Sequence, residues 1–369
     1  MKNWFSNLTS CLSPRHNSDP LGLRDNRMWS EDLRKHAYGE FSLAVVQANL
    51  DVEDQSQVEA GRQATFVGVY DGHGGPNASQ YVAGHLFDHL NRLSCDAREI
   101  SENIISNAIA ETERGYLDFV RAAASINGGA GPVGGSCCLV GVIWNRRLYV
   151  GNLGDSRAVL GVLRENRIQA EQVTEDHNAN LDHIRIELQA RHLGNPQIVV
   201  KNNGRWRVRD ILEVTRAIGD FDLKYQELAV GPGFQPYRDS ERLGRPYIRD
   251  DPQLHGSELE EDCRFVIFAS DGLWDWVTNQ EAVNIVHKGP REGIARRLAV
   301  KAMQNAGKKR RKTYADLKDL NPGQRRNFHD DITVVVVFMD HLDPVADPDF
   351  SPITVRGNQP NVVPSNFDF

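Results

Sequence analysis

The chain has 369 residues, with 43 Lys and Arg against 50 Asp and Glu, a formal net charge of −7. That balance argues against a general nucleic-acid binder, which needs a basic surplus to meet phosphates. At 40% hydrophobic and 25% charged residues the composition is that of an ordinary globular protein, neither disordered nor collagenous.

Residues 1 to 38 are polar and irregular and read as an N-terminal tail. Their start, with Trp4, Phe5, Leu8 and Leu12 scattered, lacks the continuous apolar stretch of a secretory signal. A body from 39 to 340 follows, then a tail from 341 to 369 rich in Pro, Asp and Asn. Strand-like segments are predicted at Phe41 to Asn49, Thr65 to Tyr70, Ser136 to Trp144, Arg147 to Leu153, Ala158 to Leu163, Trp206 to Thr215, Arg264 to Ala269 and Ile332 to Phe338. Helical patterns fall at about 76 to 92, 98 to 125, 178 to 192, 279 to 288 and 291 to 306, with Pro76 and Pro290 suited to first turns and Thr278 to Glu281 reading as a capping box. The three strands between 136 and 163 are joined by tight turns and are expected to be antiparallel, which favours an α+β body over a doubly wound sheet. The segment Gly231 to Glu260 reads as a long loop, equally a substrate-facing flap or an inert excursion.

No apolar run approaches the roughly 18 residues of a membrane span. Five cysteines, Cys11, Cys95, Cys137, Cys138 and Cys263, include no Cys-x-x-Cys pair, so neither a disulfide framework nor a zinc site is supported. The expectation is an intracellular protein of cytoplasm or nucleus, with a peripheral place at the plasma membrane left open by the apolar scatter at the N-terminus. The basic run Lys308 to Lys312 reads as a solvated helix end, or as a nuclear-import or acidic-partner patch.

The chemistry lies in carboxylates at strand ends: Glu53 and Asp54, Asp71 before Gly72, Asp155, Asp271 before Gly272, and Asp330 with Asp331. A buried strand end is a costly place for a carboxylate unless it is paired or bound to a metal. Few cations neighbour these residues in sequence, and all-oxygen ligand sets select Mg²⁺ or Mn²⁺ over zinc. Two such ions about 3.5–4 Å apart would hold a bridging water and clamp a phosphate in line with it. A single Asp-Gly is ordinarily a turn; five strand ends that each run into a carboxylate are a pattern. His73, two residues past Asp71, could protonate a leaving alkoxide. The glycine-rich stretch Gly128 to Gly135 precedes a strand instead of opening a helix, so it reads as a loop and not a dinucleotide site.

The runs Tyr70 to Gly75, Gly151 to Arg157, Val214 to Asp220, Ala269 to Asp275 and His329 to Val334 resemble, in order, the signatures of the metal-dependent type 2C Ser/Thr protein phosphatases. Gln47-Ala48-Asn49 and Phe328-His329-Asp330-Asp331 are similar to a plant group called clade D. The resemblance implies a four-layer α/β/β/α sandwich of two mainly antiparallel sheets, a monomer, and one-step hydrolysis of phosphoserine or phosphothreonine in proteins. It implies that Asp71 bridges two ions, that Glu53 and the Gly72 carbonyl complete one site, and that Asp271 and Asp330 complete the other. Asp54 would support these ligands, Asp155 and Asp275 would hold a weaker third ion, and His73 would be the general acid. For partners it implies a plasma-membrane proton pump as substrate and small auxin-induced proteins as inhibitors. Many members carry an arginine four residues before the metal glutamate; here that position is Asn49. A neutral amide cannot replace a bidentate guanidinium, so Arg157 or Arg216 is expected to compensate; otherwise phosphate binding is weaker or the protein is a weakly catalytic scaffold.

Overall fold

A computed structural model describes residues 25–126, 132, 134–225, 246–345, 350–358, 365 and 367. Two six-stranded antiparallel sheets face each other. In spatial order the first runs Met28–His36, Gly39–Val46, Ile332–Phe338, Cys263–Ala269, Arg157–Arg164 and Arg167–Gln172. The second runs Gln253–Glu258, Arg147–Leu153, Cys138–Trp144, Ala64–Tyr70, Gln55–Ala60 and Ile353–Arg356.

Strand periodicity assigns the layers. In Ile332–Phe338, Val335 and Val337 point between the sheets and meet Val67, Val69 and Phe268. Val334 and Val336 point outward, under Leu298, Ala302 and Met303 of the helix Ile294–Lys309. On the far side, Phe66, Val140 and Val142 pack beneath the helices Asn77–Ala97 and Glu102–Ile126. Because both faces are covered, the central strands read as near-continuous apolar runs. The α+β, α/β/β/α expectation therefore holds.

Several expected elements differ. Arg147–Leu153 does form a hairpin with Cys138–Trp144, through Asn145 and Arg146 at left-handed φ, but Arg157–Arg164 crosses to the other sheet at Gly154. The predicted strand to Thr215 stops at Val208, where Arg209 and Asp210 take left-handed φ values of 55° and 63°. Pro290 lies outside its helix, which starts after Gly293 at φ 69°. Thr278 caps as expected, accepting from the Glu281 N–H at 3.2 Å, whereas the fully reciprocal box is Thr313 with Asp316.

Both predicted tails contribute structure. Met28–His36 is an edge strand whose residues are mostly half-buried, so it carries no clean alternation to read. Beyond 341, Ile353–Arg356 extends the second sheet, and Phe367 sits edge-on to Phe87 with ring centres 5.1 Å apart. Asp25 accepts a hydrogen bond from Arg325 Nη2 at 2.6 Å, with both side chains wholly buried. In the supposed loop 231–260, Gln253–Glu258 is a strand paired with Arg147–Leu153; residues 231–245 lie outside the described residues. So do 1–24 and most of the glycine-rich stretch before Gly134.

Candidate metal centre

Strand register gathers the carboxylates. Val46 pairs with Ile332, Ala269 with both Val334 and Arg157, and Tyr70 with Gln55, so the loops holding Glu53, Asp330, Asp271 and Asp155 and the end of the Asp71 strand meet at one edge of the sandwich. Glu53, Asp71, Gly72, His73, Asp155, Asp271, Asp275 and Asp330 line one cleft of about 500 Å³. A second cavity, of about 640 Å³ beside Lys35, Arg62, Asp340 and Phe350, holds none of these carboxylates.

Each carboxylate is held for a reason. Asp271 opens a one-turn helix, Asp271–Trp274, and its Oδ1 is buried without a hydrogen-bond partner. Glu53 Oε1 accepts from the Gly75 N–H at 2.6 Å. Gly72 is packed so tightly that a Cβ there would come within 2.6 Å of the Glu53 carbonyl oxygen. Asp54 is buried behind the cleft, accepting from Ser270 Oγ at 2.8 Å and Thr333 Oγ1 at 2.7 Å. Asp155 accepts from Asn178 Nδ2 at 2.6 Å and from the Cys137 thiol at 3.3 Å. Asp275 stands at the mouth, 3.9 Å from Arg205.

The electrostatics describe buried carboxylates crowding one another. Burial pushes Asp71 well above the ordinary carboxylate range, and the nearby charges of Asp54, Asp271, Asp330 and Asp155 push it further. Asp271 is raised in the same way, by burial and then by Asp155, Asp330, Asp275 and Asp54. Burial takes Asp155 to about 6, against the hydrogen bonds from Asn178 and Cys137. Burial also raises Glu53, Asp54, Asp330 and Asp275. Ligand atoms of Asp71, Cys137 and Asp155 lie within 4.8 Å of one another. Burial and the Asp155 charge keep Cys137 a thiol, so it acts as a donor and the available ligands are oxygens. An unpartnered buried oxygen amid crowded carboxylates fits a hard divalent cation.

At His73, burial favours the neutral ring but is overridden by Asp220, whose Oδ2 lies 2.9 Å from Nε2, and by Asp155 and Glu53; the net shift is upward. The small sheet of Gly72–His73, Gly135–Ser136 and Ile218–Gly219 brings Asp220 there.

The protein phosphatase 2C family model matches residues 32–313. The chain belongs to that family. It is 51% identical over 345 residues to probable protein phosphatase 2C 43 of Oryza sativa subsp. japonica, covering 93% of this chain and 89% of that one. It is 48% identical over 349 residues to probable protein phosphatase 2C 68 of Arabidopsis thaliana, covering 93% and 88%. Among solved structures, the Toxoplasma gondii serine-threonine phosphatase 2C superposes with TM-score 0.57 at 21% identity, over 84% of this chain and 98% of that one. A C. elegans sex-determining protein gives TM-score 0.58 at 20% identity, over 85% and 66%. At these identities the two structures speak for the shared fold.

Within this phosphatase fold the two expected phosphate-binding arginines are engaged elsewhere. Arg157 Nε donates to Asp176 at 2.9 Å, its Nη1 donates to Asn279 at 2.6 Å, and its guanidinium lies over the Trp274 ring. Arg216 Nη1 donates to the Asp251 carbonyl oxygen at 3.0 Å, and the residue is not part of the cleft lining. The cations that do line the cleft are Arg205, Arg207, Lys309, Arg310 and Arg326. Arg326 Nη2 lies 2.8 Å from Asp330 Oδ2, while Asn49 Nδ2 donates to Asp330 Oδ1 at 3.0 Å. Asn49 and Arg326 thus flank the same carboxylate. Sequence reasoning also missed Asp220 and Cys137, which sat inside or beside motifs already quoted, and gave Asp331 no role of its own. Among the described residues no helix is long and apolar enough to cross a membrane.

Proposed function

We propose that the protein hydrolyses phosphoserine and phosphothreonine in other proteins, using two Mg²⁺ or Mn²⁺ ions held by Glu53, Asp71, the Gly72 carbonyl, Asp271 and Asp330. The observation carrying this is the strand-end convergence around Asp271, whose buried Oδ1 has no partner. Asp155 and Asp275 are the residues suited to a weaker third ion. When bound, the ions supply an activated water and neutralise charge on the phosphoryl oxygens.

The chain's own groups do the rest. His73, whose pKa Asp220 raises, is the residue set to donate a proton from its ring to the leaving serine or threonine oxygen. Asp54 buttresses the site through Ser270 and Thr333. Arg326, not Arg157 or Arg216, is the guanidinium placed to orient the substrate phosphate in place of the arginine absent at Asn49. Similarity to rice and Arabidopsis relatives supports a plant phosphatase; membership of clade D, a plasma-membrane proton pump as substrate and small auxin-induced inhibitors are further parts of the proposal.

The test is phosphate release from a phosphothreonine peptide with Mn²⁺, Mg²⁺ or EDTA, beside Asp71→Asn. Metal-dependent turnover that disappears in the variant is expected. A wild-type protein that binds metal but releases no phosphate would overturn the reading in favour of a partner-binding scaffold.

A further inference from the structure

The basic run Lys308 to Lys312 closes the helix Ile294–Lys309, where cations are favoured by the helix dipole in any protein. Its position goes further than that. Lys309 and Arg310 line the cleft of the carboxylate centre, and so do the aromatic residues they rest on. Lys309 Nζ lies 5.4 Å from the centre of the Trp276 ring, and the Arg310 guanidinium lies 5.5 Å from that of Phe328. Trp276 follows Asp275, and Phe328 stands two residues before Asp330, so both cations are braced beside the catalytic carboxylates.

The other cations that line the cleft are paired. Arg205 and Arg207 both pair with Glu213, at 3.1 and 3.0 Å, and Arg326 is held by Asp330. Lys309 and Arg310 have no carboxylate within ion-pair distance among the described residues. Lys308 and Arg311 are exposed alongside them, and only Lys312 faces an acidic neighbour, Asp316. Among the described residues, a chain of net charge −7 thus presents a cationic rim without carboxylate partners at the mouth of an acidic cleft.

We propose that this rim is a subsite for acidic residues flanking the phosphorylated serine or threonine, so that acidic phosphopeptides are the preferred substrate class. The proposal rests on the phosphatase reading above. The cleft floor handles the phosphate; Lys309 and Arg310 select its neighbours by charge, within the roughly 8 Å over which exposed charges act at physiological salt. An import signal would not need bracing on Trp276 and Phe328 at this cleft.

The experiment uses the full chain with Mn²⁺ and three phosphothreonine peptides of equal length, flanked by Glu, Ala or Lys. The Glu peptide is expected to be cleaved with kcat/KM about tenfold above the Ala peptide, mainly through KM, and the advantage should shrink as salt rises from about 50 to 300 mM. The Lys309→Glu, Arg310→Glu pair should abolish or invert that ratio, while Lys288→Glu, at an exposed helix end outside the cleft lining, should keep it. Lys309→Gln, Arg310→Gln serves if the reversed pair melts early. Equal kcat/KM for the three peptides in the wild type would overturn the subsite and leave the phosphatase standing. Absence of turnover on all of them would overturn the phosphatase reading and the subsite with it.

Discussion

Asp331 accepts the backbone N–H of Glu53 on its Oδ2 at 2.8 Å, while its Oδ1 accepts those of Ala48 at 2.6 Å and Asn49 at 3.0 Å. One carboxylate just before the strand Ile332–Phe338 thereby shapes the whole loop that carries Glu53. Its neighbour Asp330 faces the cleft, so two adjacent aspartates divide the work of binding and of support.

Asp331→Asn should loosen that loop, because an amide NH₂ turned toward backbone N–H groups cannot accept from them. Metal affinity is expected to fall about 10- to 100-fold, as for other groups that orient ligands, with much of kcat recovered at saturating metal. Calorimetric Mn²⁺ titration checks it; wild-type affinity would show that Glu53 holds its place without Asp331.

Asp71→Asn should abolish turnover yet stabilise the metal-free protein. Asp71 is crowded by Asp54, Asp271, Asp330 and Asp155, and removing one buried charge relieves that repulsion. In EDTA the variant is expected to melt higher by about a degree or more, since about 1 kcal/mol corresponds to 2–4 °C at 150–250 residues and to less in a longer chain. Added Mn²⁺ should raise the wild type and leave the variant nearly unmoved. A variant that melts lower in EDTA would contradict the crowding.

Arg326→Ala should raise KM for a phosphopeptide about tenfold, with a smaller change in kcat. Asn49→Arg in that background should recover much of the loss, since both positions flank Asp330. Inhibition by inorganic phosphate should weaken and recover in parallel. An unchanged KM in Arg326→Ala would remove it as the phosphate anchor.

His36 gives a pH prediction away from the centre. Buried, with Nε2 on the Phe338 carbonyl oxygen at 3.0 Å and Nδ1 on Thr65 Oγ1 at 2.9 Å, it is held neutral, its pKa lowered by burial to about 4. The unfolded chain therefore binds a proton there that the folded chain refuses. The stabilisation is present above about pH 6.5 and is lost as pH falls toward 4, amounting to about 3 kcal/mol over the window. His36→Gln should flatten the acid limb of a denaturation series by up to about 1.4 kcal/mol per pH unit. Identical limbs for the two proteins would exclude His36 as the source.

The strand-end aspartates were readable because an apolar run breaking into Asp-Gly is a local signal, and Val334 to Val337 betrayed a strand covered on both faces. The cation partners were not readable. Arg157 finds Asp176 and Arg216 finds Asp251 through tertiary packing, and Arg326 reaches the place left by Asn49 from 277 positions away in sequence, 326 minus 49. Met28–His36 escaped notice because an edge strand half-buried along its length need not alternate.

The buried pair of Asp25 and Arg325 carries a lesson for anyone shortening this protein. The family pattern spans 32–313, a natural place to cut. A fragment so trimmed would omit Asp330 itself, along with the strand that follows it. Extending it to 340 but starting at 32 would restore the ligand while leaving a guanidinium sealed inside the protein with no counterion, at a cost of about 3–5 kcal/mol. Arg325 opens the turn Arg325–Asn327 that leads to Asp330, so the damage would surface as poor metal loading and not only as a lower melting point. Asp25, seven residues ahead of the recognisable family region, thus acts as a remote brace for the catalytic edge.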